Sequence, residues 1–487
     1  MSCLRSTLLL IIAAIMPIVN YAYDFEEGGL CYNVNIDGKT VTLTYDVLKV
    51  RYLEHGGSIK KGRDGNPVYI GDIVIPQVVK HEGKSYTVTA VDRNAFSENY
   101  QVTSVEIPNS VTKIGEYAFY NCYNLKSINL PPNLTEIEDY VFAKCKIDSI
   151  VIPGKVKRIG YYAFSDSYLK SISIPNSVNR ISNEAVSYCR RLEVVKLGNN
   201  VAFIGEKAFK ECPKLTTVNL PASLKEIGVD AFSGCVELKE MVIPASVTSI
   251  GDGLFAHCKS LTSLKVEKKN KKYDSRNDCN AIIETATNKL VVGTNVTKIP
   301  TTVKSIGDGA FAGCSAMESI DIPTSVTKIG DGAFGACTVM ESIDIPTSVT
   351  KIGDRVFYNC SKLKEINLPN SVIEIGNYAF VGCHSLESVV IPNSVKTIGE
   401  RAFLHDKCIK SLTIGSGVTT IEDWAFKGLV SIRSITCNIQ DVGSVTMGEK
   451  VFDEINKDAC TLYVPKGTAA SYKAAPQWMD FKNIVER

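Results

Sequence analysis

Cysteine and histidine are the residues that could most readily supply a nucleophile, a general base or a metal ligand in this chain of 487 residues, which holds sixteen cysteines and five histidines. The histidines are scattered, at positions 55, 81, 257, 384 and 405, and the sequence contains neither a C-x-x-C nor an H-E-x-x-H motif. Zinc ligands are usually spaced in such motifs, so no metal site is predicted. His257-Cys258 and Cys383-His384 are adjacent pairs, but both occupy slots of an internal repeat, and we predict no nucleophilic catalysis from them.

Two aspartates form the sharpest pair of candidate catalytic groups. Segments 318–331 and 341–354 are nearly identical, and Asp321 and Asp344 hold the same place in each. If the segments lie side by side as strands, the carboxylates are roughly 5 Å apart, which is close to their separation in a retaining glycosidase. A copied repeat, however, stacks identical side chains on an open face without a pocket to separate their pKa values. We therefore predict no enzyme, with a weak cation site at this pair as the alternative.

Ten of the cysteines share one register, three residues after a repeated phenylalanine position: 122, 145, 189, 212, 235, 258, 314, 337, 360 and 383. Stacking would bring their Cα atoms within disulfide range but leave their Cβ vectors parallel, which disfavours bridging. We predict a ladder of buried thiols, with some oxidised pairs as the alternative. The better candidates for a disulfide bridge lie outside this register, with a pairing that the sequence does not give: Cys31, Cys279, Cys408, Cys437 and Cys460.

The elements that position these residues are set by the repeat. A phenylalanine, usually preceded by alanine, lies at 96, 119, 142, 164, 209, 232, 255, 311, 334, 357, 380, 403 and 426, and Val186 takes its place between 164 and 209. Most intervals are 23 residues long. A short period of this kind indicates stacked coils and not several globular domains.

One unit, residues 122–142, reads C-x-x-L-x-x-I-x-L-P-x-x-L-x-x-I-x-x-x-A/V-F. The leucine, isoleucine and leucine that precede Pro131 are the inward residues of a short strand, which the proline ends because it has no N–H to donate. The later leucine, isoleucine and Phe142 form the return side, and each coil buries them only by stacking on the next. About fifteen coils at strand spacing would give a curved rod on the order of 70 Å long.

This unit resembles the BspA-like, or Treponema-type, leucine-rich repeat of bacterial surface proteins, and the resemblance covers roughly residues 91–452. The opening Tyr23-Asp24-Phe25 and the ending from Leu462 to Ile484 resemble secreted members of the family from Bacteroidetes. The resemblance implies a mainly β repeat solenoid, a right-handed curved rod of ~23-residue coils. It also implies adhesion to host extracellular-matrix proteins or to other bacteria.

The predicted organisation has six parts: 1–22 signal peptide, 23–90 N-terminal β cap, 91–264 leucine-rich repeats, 265–300 insert with a hairpin, 301–452 leucine-rich repeats and 453–487 C-terminal cap. Period-two alternation around Asp37-Gly38 and Glu82-Gly83 predicts two hairpins in the first cap. The insert is expected to bend or split the rod. In the last cap we expect Thr468 to cap a short helix, and Trp478 and Phe481 to pack on the last coil.

The first residues have the layout of a secretory signal peptide, with Arg5, an apolar run from Leu8 to Val19 and small residues up to Ala22. That run is too short to span a bilayer comfortably, and no later segment resembles a membrane span. A net charge of +2 gives no overall basic field for nucleic acid. We therefore predict a secreted or cell-surface protein without a transmembrane segment, with the periplasm as the alternative location.

Three features are candidates for binding. The outward strand positions are mostly small or polar, as at Ser127 and Asn129, and suit broad contact. Aromatic residues lie two residues before the phenylalanine at Tyr117, Tyr140, Tyr162, Tyr378 and Trp424. The first three, in successive coils, are predicted to form a row, either as a hot spot or as ordinary repeat variation. Lys265, Lys268, Lys269, Lys271 and Lys272 form a dense basic run, either a solvated tip or a site for sulfated glycans.

Taken together, these patterns predict an adhesion protein that presents an extended surface to a host or bacterial surface protein. Glycan binding, which would use the tyrosine row, is the alternative. Neither reading calls for a cofactor or a nucleic acid partner, and we expect a monomer.

Overall fold

The computed structural model describes residues 23–44 and 69–487. The predicted signal peptide, residues 1–22, and residues 45–68 of the predicted N-terminal cap lie outside the described residues. The chain divides into two compact units, residues 1–155 and residues 156–487, and each is described by itself.

The N-terminal strands of the first unit are Phe25–Glu27, Leu30–Val34, Thr40–Thr44, Val78–His81 and Lys84–Val91. Both predicted hairpins are confirmed, because Leu30–Val34 pairs antiparallel with Thr40–Thr44 and Val78–His81 pairs antiparallel with Lys84–Val91. Gly38 and Gly83 have φ values of 61° and 79°, the left-handed region that tight turns require. Lys84–Val91 then pairs in parallel with Lys113–Ile114, so the cap sheet continues into the return side of the coils.

Each coil contributes to two parallel sheets. We call the strand before the proline the face strand and the two-residue strand after it the return strand. In the first unit the face strands are Gly71–Val74, Val102–Glu106 and Ser127–Ile128, and the return strands after the cap are Lys113–Ile114 and Glu136–Ile137.

The second unit repeats this arrangement. Its face strands are Ser171–Ser173, Val194–Lys196, Thr217–Val218, Glu240–Ile243, Ser263–Val266, Ser342–Asp344, Glu365–Asn367, Ser388–Val390, Ser411–Ile414, Ser434–Cys437 and Thr461–Val464. Its return strands are Arg158–Ile159, Arg180–Ile181, Phe203–Ile204, Glu226–Ile227, Ser249–Ile250, Ser305–Ile306, Lys328–Ile329, Lys351–Ile352, Glu374–Ile375, Thr397–Ile398, Thr420–Ile421 and Thr446–Met447.

Stacked phenylalanines form the core between the two sheets. Phe96 stacks on Phe119 with ring centroids 4.9 Å apart in the first unit. In the second unit the rings from Phe311 to Phe452 stack in one series at centroid distances between 4.8 and 5.9 Å. Most apolar positions of the repeat are buried in both units, and the position of Leu130 is only partly buried in several coils, as at Leu220 and Leu368. The predicted mainly β leucine-rich repeat solenoid is therefore confirmed.

The residue after the second isoleucine of the repeat is glycine in most coils, and Glu138, Ser182 and Glu422 in three others. At two of the glycines the approach of coils requires the absence of a Cβ atom. A Cβ atom at Gly228 would lie 2.4 Å from the backbone nitrogen of Glu206 in the preceding coil, and one at Gly115 would lie 2.5 Å from that of Arg93. Neither glycine has a positive φ. The requirement is therefore steric contact between coils and not an unusual backbone conformation.

Two positions in every coil adopt a left-handed conformation that the sequence pattern did not reveal. They are the residues two before and two after the phenylalanine, as at Tyr117 (φ 57°) and Asn121 (φ 55°), or Arg401 (φ 53°) and His405 (φ 59°). We call the first of these the corner position. Corner amides bond from coil to coil, as from Tyr117 N to Asp139 O at 3.0 Å.

The insert forms the predicted hairpin, with Ile282–Glu284 antiparallel to Lys289–Val292, and it adds the strand Tyr273–Asp274 at one edge and the 3-10 turn Arg276–Asp278. Lys289–Val292 then pairs in parallel with the return strand Ser305–Ile306. His257 N donates to Ala312 O at 3.2 Å, so the coils on the two sides of the insert are bonded directly to each other. The expected bend or split of the rod at the insert stays a prediction.

The C-terminal cap contains the helix Ala469–Ala474 and the strand Asn483–Glu486, and the 3-10 turn Val442–Ser444 lies in the repeat region before it. Trp478 and Phe481 pack on Phe452 with centroids 4.7 and 5.4 Å away, as predicted. Thr468 stands at the N-cap position, but its hydroxyl donates to Pro465 O at 2.6 Å. The cap instead comes from Glu486, whose carboxylate accepts from Ala469 N at 2.8 Å, which corrects the prediction for Thr468.

Candidate binding surface

The face strands present a repeated exposed surface, because their side chains alternate between the core and the solvent. Ser127, Asn129, Ser171 and Ser173 are exposed, as the pattern predicted. Sequence reasoning missed the exposed valines on the same strands. Those with the largest exposure are Val74 (64%), Val390 (60%) and Val242 (50%), with Val194 at 36%.

Ion pairs join neighbouring coils beside the face strands. Lys364 lies 2.8 Å from Glu341, and Lys410 lies 2.8 Å from Glu387. All four side chains are more than half or nearly half exposed, so each pair adds little to stability. Their effect is to neutralise these two lysines locally.

Asp321 and Asp344 are both exposed, on neighbouring coils. The coils are joined by Glu341 N, which donates to Glu318 O at 3.2 Å. Asp344 lies in Ser342–Asp344 and is in register with Asn367, whereas Asp321 is not part of a strand. No group of three or more histidine, cysteine, aspartate or glutamate side chains in residues 23–44 and 69–487 is arranged to hold a metal ion. The weak cation site at Asp321 and Asp344 therefore stays a prediction, and the pair would supply at most two ligands.

The predicted tyrosine row is in part a stack. The rings of Tyr117 and Tyr140 are parallel, 4.6 Å apart, and Tyr120 meets both edge-on. The guanidinium of Arg93 lies 5.4 Å from the Tyr117 ring centre. Partial burial raises the pKa of the Tyr117 hydroxyl. Because the ring faces turn toward each other and toward Arg93, a ligand meets ring edges and hydroxyl groups.

Tyr162 belongs to the second unit, where its hydroxyl donates to the carboxylate of Glu184 at 2.6 Å. Inside the first unit the structure stacks Tyr117 on Tyr140. Inside the second unit Tyr162 bonds to Glu184, the next corner residue. A continuous row through all three tyrosines stays a prediction.

A second series of corner residues alternates arginine with aromatic rings: Arg355, Tyr378, Arg401 and Trp424. Arg355 lies 5.0 Å from the Tyr378 ring centre, and Arg401 lies 5.4 Å from that ring and 4.3 Å from the Trp424 ring. Arg401 also donates to the Tyr378 hydroxyl and pairs with Glu400 at 2.7 Å. The sequence located the two aromatic residues but missed the arginines, although all four share one register.

The basic run lies on the turn that enters the insert. Lys265, Lys268, Lys269, Lys271 and Lys272 are all exposed. Lys272 lies 3.8 Å from Glu284 and 5.5 Å from the Tyr273 ring centre. Between the lysines, Asn270 is buried and fixes the backbone of the turn.

The ladder of ten cysteines is buried, as predicted, and all ten are free thiols. Nine of the ten donate to a backbone carbonyl of the preceding coil, as Cys212 Sγ does to Val186 O and Cys360 Sγ to Phe334 O, both at 3.2 Å. Burial raises the pKa of Cys235 and of Cys360 to about 12. The hydrogen bonds of the ladder link neighbouring coils, and the raised pKa makes Cys235 and Cys360 poor nucleophiles.

The five cysteines outside the register are also free thiols, so the prediction of a bridge among them is not met. Cys31, Cys279, Cys437 and Cys460 are buried, and Cys408 is exposed. Burial is the largest cause that raises the pKa of Cys437 to about 11.

Asp406 occupies the cysteine place of the coil that follows Cys383. It is fully buried, and neither carboxyl oxygen has a hydrogen-bond partner. Burial raises the pKa of Asp406 well above its usual range, against a smaller opposite effect of the nearby backbone N–H groups of Cys383 and Gly382. Sequence reasoning missed this residue, although its register, three positions after Phe403, was the available signal.

Among the residues that the structure describes, a shallow concavity is lined by Glu400, Glu422, Asp423, Thr446 and Met447. Its carboxylates already accept from the backbone, since Glu422 Oε2 binds Glu400 N at 3.0 Å and Asp423 Oδ1 binds Glu449 N at 2.7 Å. These carboxylates therefore bond neighbouring coils to each other.

The comparisons decide the family. A family description, BspA type leucine-rich repeat region, matches residues 89–216, 181–299, 293–408 and 373–466. The chain belongs to the BspA type leucine-rich repeat family. Proteins of this family are repeat scaffolds, and binding is the role that the scaffold suggests. In residues 23–44 and 69–487 no helix is long and apolar enough to cross a membrane.

Solved structures of other bacterial repeat proteins are similar to this BspA type chain. A leucine-rich repeat protein from Bacteroides ovatus ATCC 8483 is 26% identical, with a TM-score of 0.56, over 91% of this chain and 100% of that one. A leucine rich cell surface protein from Faecalibacterium prausnitzii A2-165 is 30% identical, with a TM-score of 0.59, over 80% of this chain and 93% of that one. No curated protein matches the chain.

Proposed function

We propose that this protein is exported and binds a macromolecule on another surface, either a host extracellular-matrix protein or a surface protein of another cell. The observation that carries the proposal is the exposed face of the parallel strands, where valines such as Val242 and Val390 interrupt a surface of small and polar residues. Protein interfaces combine isolated apolar contacts with such polar surroundings. Membership in a family with a cell-surface relative supports export.

A binding experiment with matched variants tests the proposal. Immobilised fibronectin, fibrinogen and cultured epithelial cells serve as probes for the purified protein, which should bind at least one of them saturably. The double variant Val242→Glu/Val390→Glu should weaken that binding at least tenfold. Val430→Glu changes an equally exposed valine (54%) outside the face strands and should leave binding unchanged. Absence of saturable binding to all three probes would contradict the proposal.

Export itself is tested by fractionation of the native cell and by mass spectrometry of the mature N-terminus. We expect cleavage near Ala22, with a mature chain that begins at Tyr23. A protein found in the periplasm would contradict direct adhesion to a host, while a full-length chain in the cytoplasm would contradict export.

A second candidate function is glycan binding at the Tyr117 and Tyr140 stack. The observation that favours it is the pair of parallel rings with Tyr120 at their edge, which presents several hydroxyl groups close together. A glycan array identifies the ligand, and Tyr117→Phe/Tyr140→Phe should reduce binding because only the hydroxyls are removed. Tyr358→Phe, at an exposed tyrosine outside the stack, is the control. A blank array would remove this candidate.

A further inference from the structure

The segment 265–272, which we call the lysine turn, departs from the charge pattern of the rest of the second unit. It holds five lysines and one glutamate, a local charge of +4, whereas the whole chain has a net charge of +2. Some lysines elsewhere pair with acids of neighbouring coils, as Lys214 does with Glu237 at 2.5 Å and Lys427 with Asp453 at 3.0 Å. The lysine turn differs because it concentrates five lysines in eight residues.

Four ammonium groups of this turn lack an acidic partner. Within the described part of the chain, no carboxylate lies within ion-pair distance of Lys265, Lys268, Lys269 or Lys271, and all four side chains are exposed. Lys272 has a distant partner, Glu284, at 3.8 Å. The lysines are therefore free to receive an anionic ligand without first breaking an ion pair.

Glu267, the acidic residue of the lysine turn, accepts a hydrogen bond from the backbone of a neighbouring coil. Glu267 directs a carboxylate oxygen to Ala245 N at 2.8 Å, which fixes it on the neighbouring coil. Glu267 N in turn donates to Ile243 O at 2.9 Å. This glutamate therefore anchors the start of the turn, and its side chain is committed away from the lysines.

Asn270 holds the turn in one conformation. It is 9% exposed; its amide nitrogen donates to Pro244 O at 2.9 Å and to Val247 O at 3.0 Å, and its amide oxygen accepts from Lys272 N and Tyr273 N, both at 2.9 Å. Thr285 also donates its hydroxyl to Lys272 O at 2.6 Å. A basic turn that is already ordered loses little backbone freedom when it binds.

We infer that the lysine turn is a binding site for a sulfated polysaccharide chain. Lysine ammonium groups are compact point charges that bind sulfate without demanding a bidentate geometry. Single-stranded nucleic acids usually also need exposed aromatic rings for base stacking, and Tyr273, the aromatic residue of this segment, is buried. The inference rests on the proposed location outside the cytoplasm, where such polysaccharides are met, and it names a ligand class for a site separate from the face strands.

The test compares two triple variants of equal charge. Lys268→Gln/Lys269→Gln/Lys271→Gln removes three charges from the lysine turn, and Lys364→Gln/Lys410→Gln/Lys427→Gln removes three from paired lysines. Binding of the purified protein to a heparin oligosaccharide is measured by calorimetry at two salt concentrations. We expect the first variant to bind at least tenfold more weakly and with a smaller salt dependence. The second should bind within twofold of the unchanged protein.

A charge-retaining variant, thermal unfolding and two other ligands serve as controls. Lys268→Arg/Lys269→Arg/Lys271→Arg retains the charge and should retain binding, and thermal unfolding of each variant shows that the fold is intact. The inference is overturned if the unchanged protein does not bind heparin, if both glutamine variants lose affinity equally, or if desulfated heparin binds as well. Equal binding of single-stranded DNA would assign the turn to nucleic acid instead. Heparin is not added in the assay for face-strand binding. Loss of heparin binding would therefore contradict the inference on the lysine turn without contradicting the proposed function, and the reverse also holds.

Discussion

Asp406 holds in its coil the place that Cys383 holds in the coil before it, and both side chains are completely buried. Cys383 Sγ donates to Phe357 O at 3.3 Å, whereas both oxygens of the Asp406 carboxyl are without a partner. A neutral thiol suits an apolar ladder, and a carboxylate does not. The ladder therefore contains one member that is stable there only in its protonated form.

We predict that Asp406→Cys raises the free energy of unfolding at neutral pH by about 1–3 kcal/mol, the usual cost of an unsatisfied buried polar group. Asp406→Asn should raise it as well, because it removes the ionisation of the buried carboxyl group. The pKa of Asp406 is raised in the folded chain above the value of 3.8 expected for an unfolded aspartate. As the pH rises above that value the unfolded chain gives up its proton first, so the free energy of unfolding falls until the folded pKa is reached.

Urea denaturation at several pH values between about 4 and 8 measures this effect. The advantage of Asp406→Asn over the unchanged protein should grow with pH. Asp344→Asn, at an exposed aspartate, should show no such trend. A pH-independent gap, or a variant that is less stable at neutral pH, would contradict the assignment.

The thiols provide a second prediction. In the protein without residues 1–22, a water-soluble disulfide reagent should label Cys408 rapidly and the buried cysteines only after unfolding. Cys408→Ser should remove the rapid phase. Denatured but unreduced protein should titrate fifteen thiols, and a lower number would establish the oxidised pairs that the sequence left open.

A third prediction concerns Arg401, which lies between the rings of Tyr378 and Trp424. Arg401→Ala should lower the free energy of unfolding by about 1 kcal/mol, because it removes a cation from the faces of Tyr378 and Trp424. Trp424 fluorescence should change, while Trp478, the other tryptophan, is buried against Phe452 and should not respond. Arg355 contacts the ring of Tyr378 alone, so Arg355→Ala is the control. Identical emission spectra for both variants would sink the proposed stack.

Two glycine substitutions separate steric contact from backbone conformation. Gly228→Ala places a Cβ atom 2.4 Å from a backbone nitrogen and should destabilise the chain by more than about 3 kcal/mol, because neighbouring coils must move apart. Gly332→Ala meets no atom within 4 Å but has a φ of 60°, and should cost about 1 kcal/mol. Thermal unfolding of the two variants should therefore rank Gly332→Ala as the milder, and the reverse order would contradict the close approach of coils.

The period of the apolar residues was enough to predict the coils, because each phenylalanine can be buried only by the next. The hairpins around Gly38 and Gly83 followed from turn residues between alternating strands. Corner conformation could not be predicted in this way, since Tyr117 and Arg401 have side chains that ordinarily avoid a positive φ. The coil-to-coil hydrogen bonds, such as Tyr117 N to Asp139 O, favour this conformation, and they depend on the stacked neighbour.

At the candidate sites the sequence predicted residue types but not their partners. It placed Tyr378 and Trp424 in register, yet the arginine between them matters only once neighbouring coils are in contact. It marked the lysines, but not the buried Asn270 that orders them. The exposed valines of the face strands were passed over because a single valine in a strand is equally consistent with burial.

The left-handed corner positions carry a consequence for how such a molecule can be altered. Valine, isoleucine and threonine are poorly tolerated at positive φ, and none of them occupies a corner position or its counterpart two residues after the phenylalanine. Charge and ring content nevertheless vary freely there, from Asp230 to Tyr378 to Trp424. A library of variants can therefore randomise these sites while it omits the β-branched residues. Each coil would then present a different side chain to a ligand, and the apolar stacking between coils would stay unchanged.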